Sequence, residues 1–128
     1  MTHVTLQELT AALRDSWSAE TAYDSSDWSQ GNPARGQCVV STLIVQDYLG
    51  GELQKYKVSG EVTETHYANR IDGLLVDVSF SQYDSYQVTL TPVEGNLRGF
   101  KTLRDKLLSD ESTKRRYELL KERVKERL

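Results

Sequence analysis

The chain has 128 residues, 38% hydrophobic and 27% charged, with a formal net charge of -3 and one cysteine. That length suits a single domain over residues 1–128 that buries a core without staples, and one cysteine excludes an internal disulfide. The mildly acidic balance carries no electrostatic footprint for nucleic acid; no apolar run is long enough to span a membrane; and no cationic, apolar leader opens the chain. The expectation is a cytoplasmic protein with no nucleic-acid and no membrane partner.

Leu6, Leu9, Leu13 and Trp17 recur at helical spacing, and Thr5 with Glu8 forms a capping-box pattern, so a first helix is expected over Thr5–Ser16. Residues 18–36 are polar, with Asp, Ser, Asn, Gly and Pro throughout. Tyr23 and Trp28 within them point to an ordered loop anchored on the body. The segment from Gln37 to Leu49 is apolar nearly all round and ends at Gly50-Gly51, which favours a buried central helix over a buried strand. After Gly51 the period changes to two. Strands are expected near Glu52–Val58, Thr63–Arg70 and Leu74–Val78, with Asp72-Gly73 as a hairpin turn. A fourth is expected over Tyr86–Thr91, ending at Pro92.

From Thr102 the spacing is helical again. Leu103, Leu107 and Leu108 mark a short helix, and Ser112 is placed to cap another in which Tyr117, Leu120, Val124 and Leu128 share a face. Residues 112–128 hold seven Lys or Arg against three Glu, a local charge of +4, whereas the rest of the chain carries -7. Their interleaving reads as an exposed, salt-bridged helix. The fold class is α+β: a central helix on a small antiparallel sheet, with a C-terminal helical extension from about residue 102.

A catalytic cysteine needs a thiolate, and a helix N-terminus favours one through its free N–H groups and dipole. Cys38 stands where the polar loop ends and the apolar helix begins, just after Gly36, which permits a tight turn. Taken alone it reads as a small core residue, because free cysteines are among the most buried types. His66 and Asp77 change that balance. If Ile71 pairs with Leu74 across a two-residue turn, Ala68 faces Asp77 and His66 is the diagonal neighbour of Asp77 on one face. A four-residue loop puts His66 directly opposite Asp77; a three-residue loop separates them. A carboxylate on one ring nitrogen would orient the other toward a nucleophile. The oxyanion donor would be the Cys38 backbone N–H, with the Asn32 or Gln37 side chain as a second. Trp28 is a candidate pocket wall, and Tyr67, on the opposite face of its strand from His66, reads as core. One cysteine and two histidines, one of them His3 in the N-terminal arm, make a structural zinc site improbable. No phosphate-binding glycine loop occurs, and no cofactor is expected.

The run Asp27-Trp28-Ser29, Asn32-Pro33, Gly36-Gln37-Cys38, Val45-Gln46-Asp47-Tyr48-Leu49-Gly50-Gly51-Glu52, His66-Tyr67-Ala68-Asn69-Arg70 and Val76-Asp77 resembles the YunG-like family of small bacterial proteins, over roughly Trp17–Tyr83. More distantly, the order Cys, His, Asp is similar to the transglutaminase-like and NlpC-like branches of the papain-like superfamily. That resemblance implies a papain-like fold with Cys38 as nucleophile, His66 as general base and acid, and Asp77 as orienting group. The expected function is a cysteine-dependent acyl-transfer enzyme, whether peptidase, amidase, deamidase or transamidating, acting on an amide-containing substrate. The alternative is a non-catalytic interaction module that meets a protein partner through the Trp28 loop or the C-terminal helix.

Overall fold

A computed structural model describes residues 3–84 and 87–128. The architecture is α+β. Four helices, α1 (Leu6–Ser16), α2 (Cys38–Leu49), α3 (Leu103–Leu108) and α4 (Glu111–Arg127), accompany four strands, β1 (Glu52–Gly60), β2 (Glu64–Ile71), β3 (Leu74–Val76) and β4 (Val88–Val93). The strands form one antiparallel sheet in the order β3-β2-β1-β4.

Helix α1 starts as its capping box dictates: Thr5 Oγ1 accepts from Glu8 N–H at 3.1 Å, and Glu8 Oε1 accepts from Thr5 N–H at 3.2 Å. Its Leu9, Ala12 and Leu13 enter the core, and the Trp17 indole N–H donates to Ser41 Oγ of α2 at 2.9 Å. Helix α2 is buried from Val40 to Val45, which accounts for its apolar composition all round. The chain leaves α2 through Gly50 and Gly51. At Gly51, with φ +80°, a Cβ would stand 2.5 Å from the Arg70 carbonyl oxygen, so only glycine lets α2 hand over to β1 this close to β2. Asp72 and Gly73 take φ of 51° and 80°, the turn geometry that joins two strands across two residues.

Four expectations are corrected. Tyr86, the expected start of the fourth strand, lies outside the described residues, and β4 runs through Pro92, which pairs with Tyr56. An edge strand tolerates proline because a missing N–H costs no ladder bond on the open side. The third strand stops at Val76 rather than Val78. The last helix is capped by Asp110 rather than Ser112, with the carboxylate accepting from Thr113 N–H at 2.9 Å. Tyr117, Leu120 and Val124, the residues expected to share a face of the C-terminal helix, join the core cluster with α1 and α2. Full burial of Leu120 and Val124 contributes roughly 1.5–3 kcal/mol each. The cations of α4 pair outward to other elements, Arg123 with Glu20 at 2.8 Å and Lys121 with Asp47 at 3.6 Å, in place of the expected pairing along the helix. Among the described residues no helix is long and apolar enough to cross a membrane.

Candidate active site at the start of the central helix

Cys38 is the first residue of α2 and is half-buried. The loop before it is held by local bonds. Gly36, at φ +75°, sits so close to Tyr23 that a Cβ would meet its backbone nitrogen at 3.0 Å, and Tyr23 N–H donates to the Gly36 carbonyl at 2.9 Å. Gln37 occupies the N-cap position without capping the helix. Its side chain is turned into the loop, where Oε1 accepts from Thr21 Oγ1 at 2.8 Å and Nε2 donates to the Ser18 carbonyl at 3.0 Å. The first-turn N–H groups of α2, which have no partner within the helix, are therefore left without a side-chain cap.

The hairpin takes the two-residue form, with Ile71 opposite Leu74 and Asn69 opposite Val76. Asp77 follows the last paired residue and reaches diagonally to His66: His66 Nε2 and Asp77 Oδ2 are 2.7 Å apart. A carboxylate only accepts, so Nε2 carries the proton and donates. Asp77 Oδ1 accepts from Ser79 N–H at 3.3 Å, which holds the carboxylate in place. The His66 ring is fully buried, and Nδ1 has no hydrogen-bond partner. Cys38 interacts with this ring without forming a bond of ordinary geometry.

Burial pulls the His66 pKa down. The hydrogen bond to Asp77, then the interaction with Cys38, outweigh that and push it up to about 9. A shift in that direction favours the imidazolium form. Behind it, Tyr83 stands edge-on to His66 at 5.3 Å between ring centroids. Its hydroxyl donates to Glu64 Oε2 at 2.6 Å, and Arg35 Nη2 closes the chain on Glu64 Oε1 at 2.8 Å. Burial and this bond push the Tyr83 phenol far above its ordinary value. Burial raises the Glu64 pKa, but the bonds from Arg35 and Tyr83 outweigh it and hold the carboxyl below its ordinary value.

The structure thus brings Cys38, His66 and Asp77 together and gives the other three candidates structural partners. The Gln37 amide is spent on the loop at both ends, which removes it as an oxyanion donor. Asn32 Nδ2 donates to the Gln82 carbonyl at 3.0 Å, tying its loop to the turn after β3. Trp28 Nε1 donates to the Pro33 carbonyl at 2.9 Å and closes its own loop. Tyr67, expected as core, is half-buried and lies outside the core cluster. Tyr23, expected as an anchor, is 79% exposed. Arg35, Glu64, Tyr83 and Arg116 were not anticipated. Glu64 was open to discovery, since it precedes His66 by one strand period; the others depend on long-range packing.

A cleft of about 360 Å³ is lined by Asn32, Arg35, Gln82 and Tyr83 among others, and so reaches the group that backs His66. A larger cavity of about 500 Å³ lies between β1, β4 and α3, lined by Leu53, Lys55, Val93 and Leu103, and holds none of the three candidate residues. Chemistry rather than volume identifies the site. Among the described residues no group of three His, Cys, Asp or Glu side chains could hold a metal ion. The site gathers a cysteine, an imidazole oriented by a carboxylate, and uncapped helix N–H groups.

The profile of a family described as YunG protein matches residues 5–128, which extends the resemblance seen over the middle of the chain to the C-terminal helices. The uncharacterized protein YunG of Bacillus subtilis (strain 168) is 34% identical over 73 residues, covering 57% of this chain and 58% of that relative. The matched part is thus little more than half the length of the curated relative. No solved structure matches the chain.

Proposed function

The chain belongs to the YunG protein family, and for it we propose a cysteine-dependent acyl-transfer activity in which Cys38 is the nucleophile. One observation carries this reading. His66 is fixed through Nε2 by Asp77, while its buried Nδ1 is left without a partner on a ring that interacts with Cys38. A merely structural histidine in a core would satisfy both nitrogens.

In this reading the Cys38 sulfur attacks an amide carbonyl and a C–S bond forms. The oxyanion that develops meets the Cys38 N–H. The His66 imidazolium gives its proton to the leaving nitrogen as the C–N bond breaks. Water or an amine then attacks the thioester, the C–S bond breaks to return the Cys38 thiolate, and His66 takes the incoming proton, which restores the imidazolium. Asp77 keeps the ring oriented and stabilises its charge. We include in the proposal a papain-like relation, resting on the chain order Cys, His, Asp, and a cytoplasmic setting, which suits a single free thiol.

The test is alkylation of Cys38 by iodoacetamide near neutral pH. Selective labelling is expected, slowed at least about tenfold in His66→Gln. A Cys38 that is inert in the folded protein, or indifferent to His66, overturns the reading. Deletion of Ser112 to Leu128 does not separate this reading from a non-catalytic module, because it strips Tyr117, Leu120 and Val124 from the core.

A further inference from the structure

Arg116 is anomalous for a buried cation. It lies on α4 and is only 9% exposed, yet it forms no ion pair with any carboxylate among the described residues. Asp110, the acidic cap of the same turn, directs Oδ2 to the Thr113 N–H and hydroxyl instead. One guanidinium nitrogen, Nη2, donates to Thr113 Oγ1 at 3.2 Å, and Nε and Nη1 are buried with no partner. A buried guanidinium with unmet N–H groups is costly, and an anion placed on them would relieve that cost.

The position of the group is defined by its neighbours. Its Cζ lies 5.7 Å from the centroid of the Tyr23 ring. Tyr23 is bonded through its N–H to Gly36, two residues before Cys38. The guanidinium, the Tyr23 ring and the uncapped start of α2 therefore share one corner of the molecule. Cys38 and Arg116 are within electrostatic range of each other. The Tyr23 ring beside the guanidinium is 79% exposed, so this corner borders solvent.

We propose that Arg116, together with the uncapped first turn of α2, forms an anion subsite beside Cys38 that takes a carboxylate of the substrate. This rests on Cys38 being the nucleophile and narrows its substrates to acyl compounds that carry a carboxylate near the scissile bond. A guanidinium suits that role because its planar fork of N–H donors matches a carboxylate.

Two alkylating reagents of similar size separate the ideas: neutral iodoacetamide and anionic iodoacetate. In each, the sulfur forms a bond to the methylene carbon and iodide leaves. If Arg116 only favoured a charged sulfur, both reagents would gain alike. If it holds a carboxylate, iodoacetate gains alone. The ratio of iodoacetate to iodoacetamide rates for the wild-type protein is expected to exceed that of free cysteine by roughly tenfold. It should fall toward the free-cysteine value in Arg116→Gln and be partly kept in Arg116→Lys. At constant ionic strength, succinate should slow alkylation of the wild-type protein by iodoacetamide in a saturable way, a readout that needs no variant. A wild-type ratio equal to that of free cysteine, a ratio unchanged in Arg116→Gln, or no protection by succinate overturns the subsite while leaving a reactive Cys38 standing. Inertness to both reagents overturns the nucleophile and the subsite together.

Discussion

The two ends of α2 carry polar clusters of opposite character. At the C-terminal end the groups satisfy one another. Arg104 donates to the Leu43 carbonyl at 3.2 Å, to Gln46 at 3.0 Å and to Asp47 at 2.7 Å, and the Tyr117 hydroxyl donates to the other oxygen of Asp47. A cation near the C-terminal end of a helix also suits its dipole. At the N-terminal end there is no cap, and His66 Nδ1 and two Arg116 nitrogens are buried without partners. Both ends are rich in charge, but only one has unspent hydrogen-bonding capacity. The difference teaches that closure, rather than polarity, separates a cluster that holds the fold from one poised to hold something else.

That contrast is open to direct attack. The largest effect on stability is expected at the N-terminal end, where Asp77→Ala leaves a buried imidazole unpaired. A loss of about 3 kcal/mol in denaturant unfolding near pH 7, with slowed alkylation of Cys38, is the expected outcome. The same pair should also be visible in pH. His66 is raised from 6.5 to about 9, so the folded state binds this proton more tightly than the unfolded state. Its contribution is complete below about 6.5 and is lost as pH rises through about 9. The stability gap between wild type and Asp77→Asn should therefore be widest near pH 6 and shrink toward pH 9.5. A gap that widens with pH would mean the ring is neutral in the fold.

At the other end, Asp47→Ala should cost about 1–2 kcal/mol, because its partners stay near solvent, and should leave the alkylation rate of Cys38 unchanged. A comparable drop in reactivity would erase the distinction between the two ends. Asn32→Ala is expected to cost less than about 1 kcal/mol, again with Cys38 reactivity intact; a strong rate loss would return Asn32 to the site.

Much of this arrangement was legible before any coordinates. The capping box at Thr5 and Glu8, the all-round apolar α2 and the Asp72-Gly73 turn are local signals, and each formed as expected. The juxtaposition of His66 and Asp77 was expected for a two- or four-residue loop and not for a three-residue one, and the two-residue form is the one that occurs. What could not be read depends on packing between distant segments. A basic amphipathic helix looks alike whether its apolar face ends a core or awaits a partner, so the place of Tyr117, Leu120 and Val124 in the core was hidden. Arg116 was equally hidden, since nothing in a run of charged residues marks the one whose partners are missing. The Gln37 amide looked free because Ser18 and Thr21, which consume it, lie sixteen or more residues away.

The central claim is that Cys38 carries out acyl transfer with His66. It is tested most directly by intact-mass measurement of the protein mixed with an activated acyl ester. The account predicts rapid gain of one acyl group on Cys38, faster than on free cysteine, followed by its release in the wild type. In His66→Gln, acylation should slow and release should slow further. Acylation no faster than that of free cysteine, or a Cys38 adduct whose formation and loss ignore His66, would contradict it.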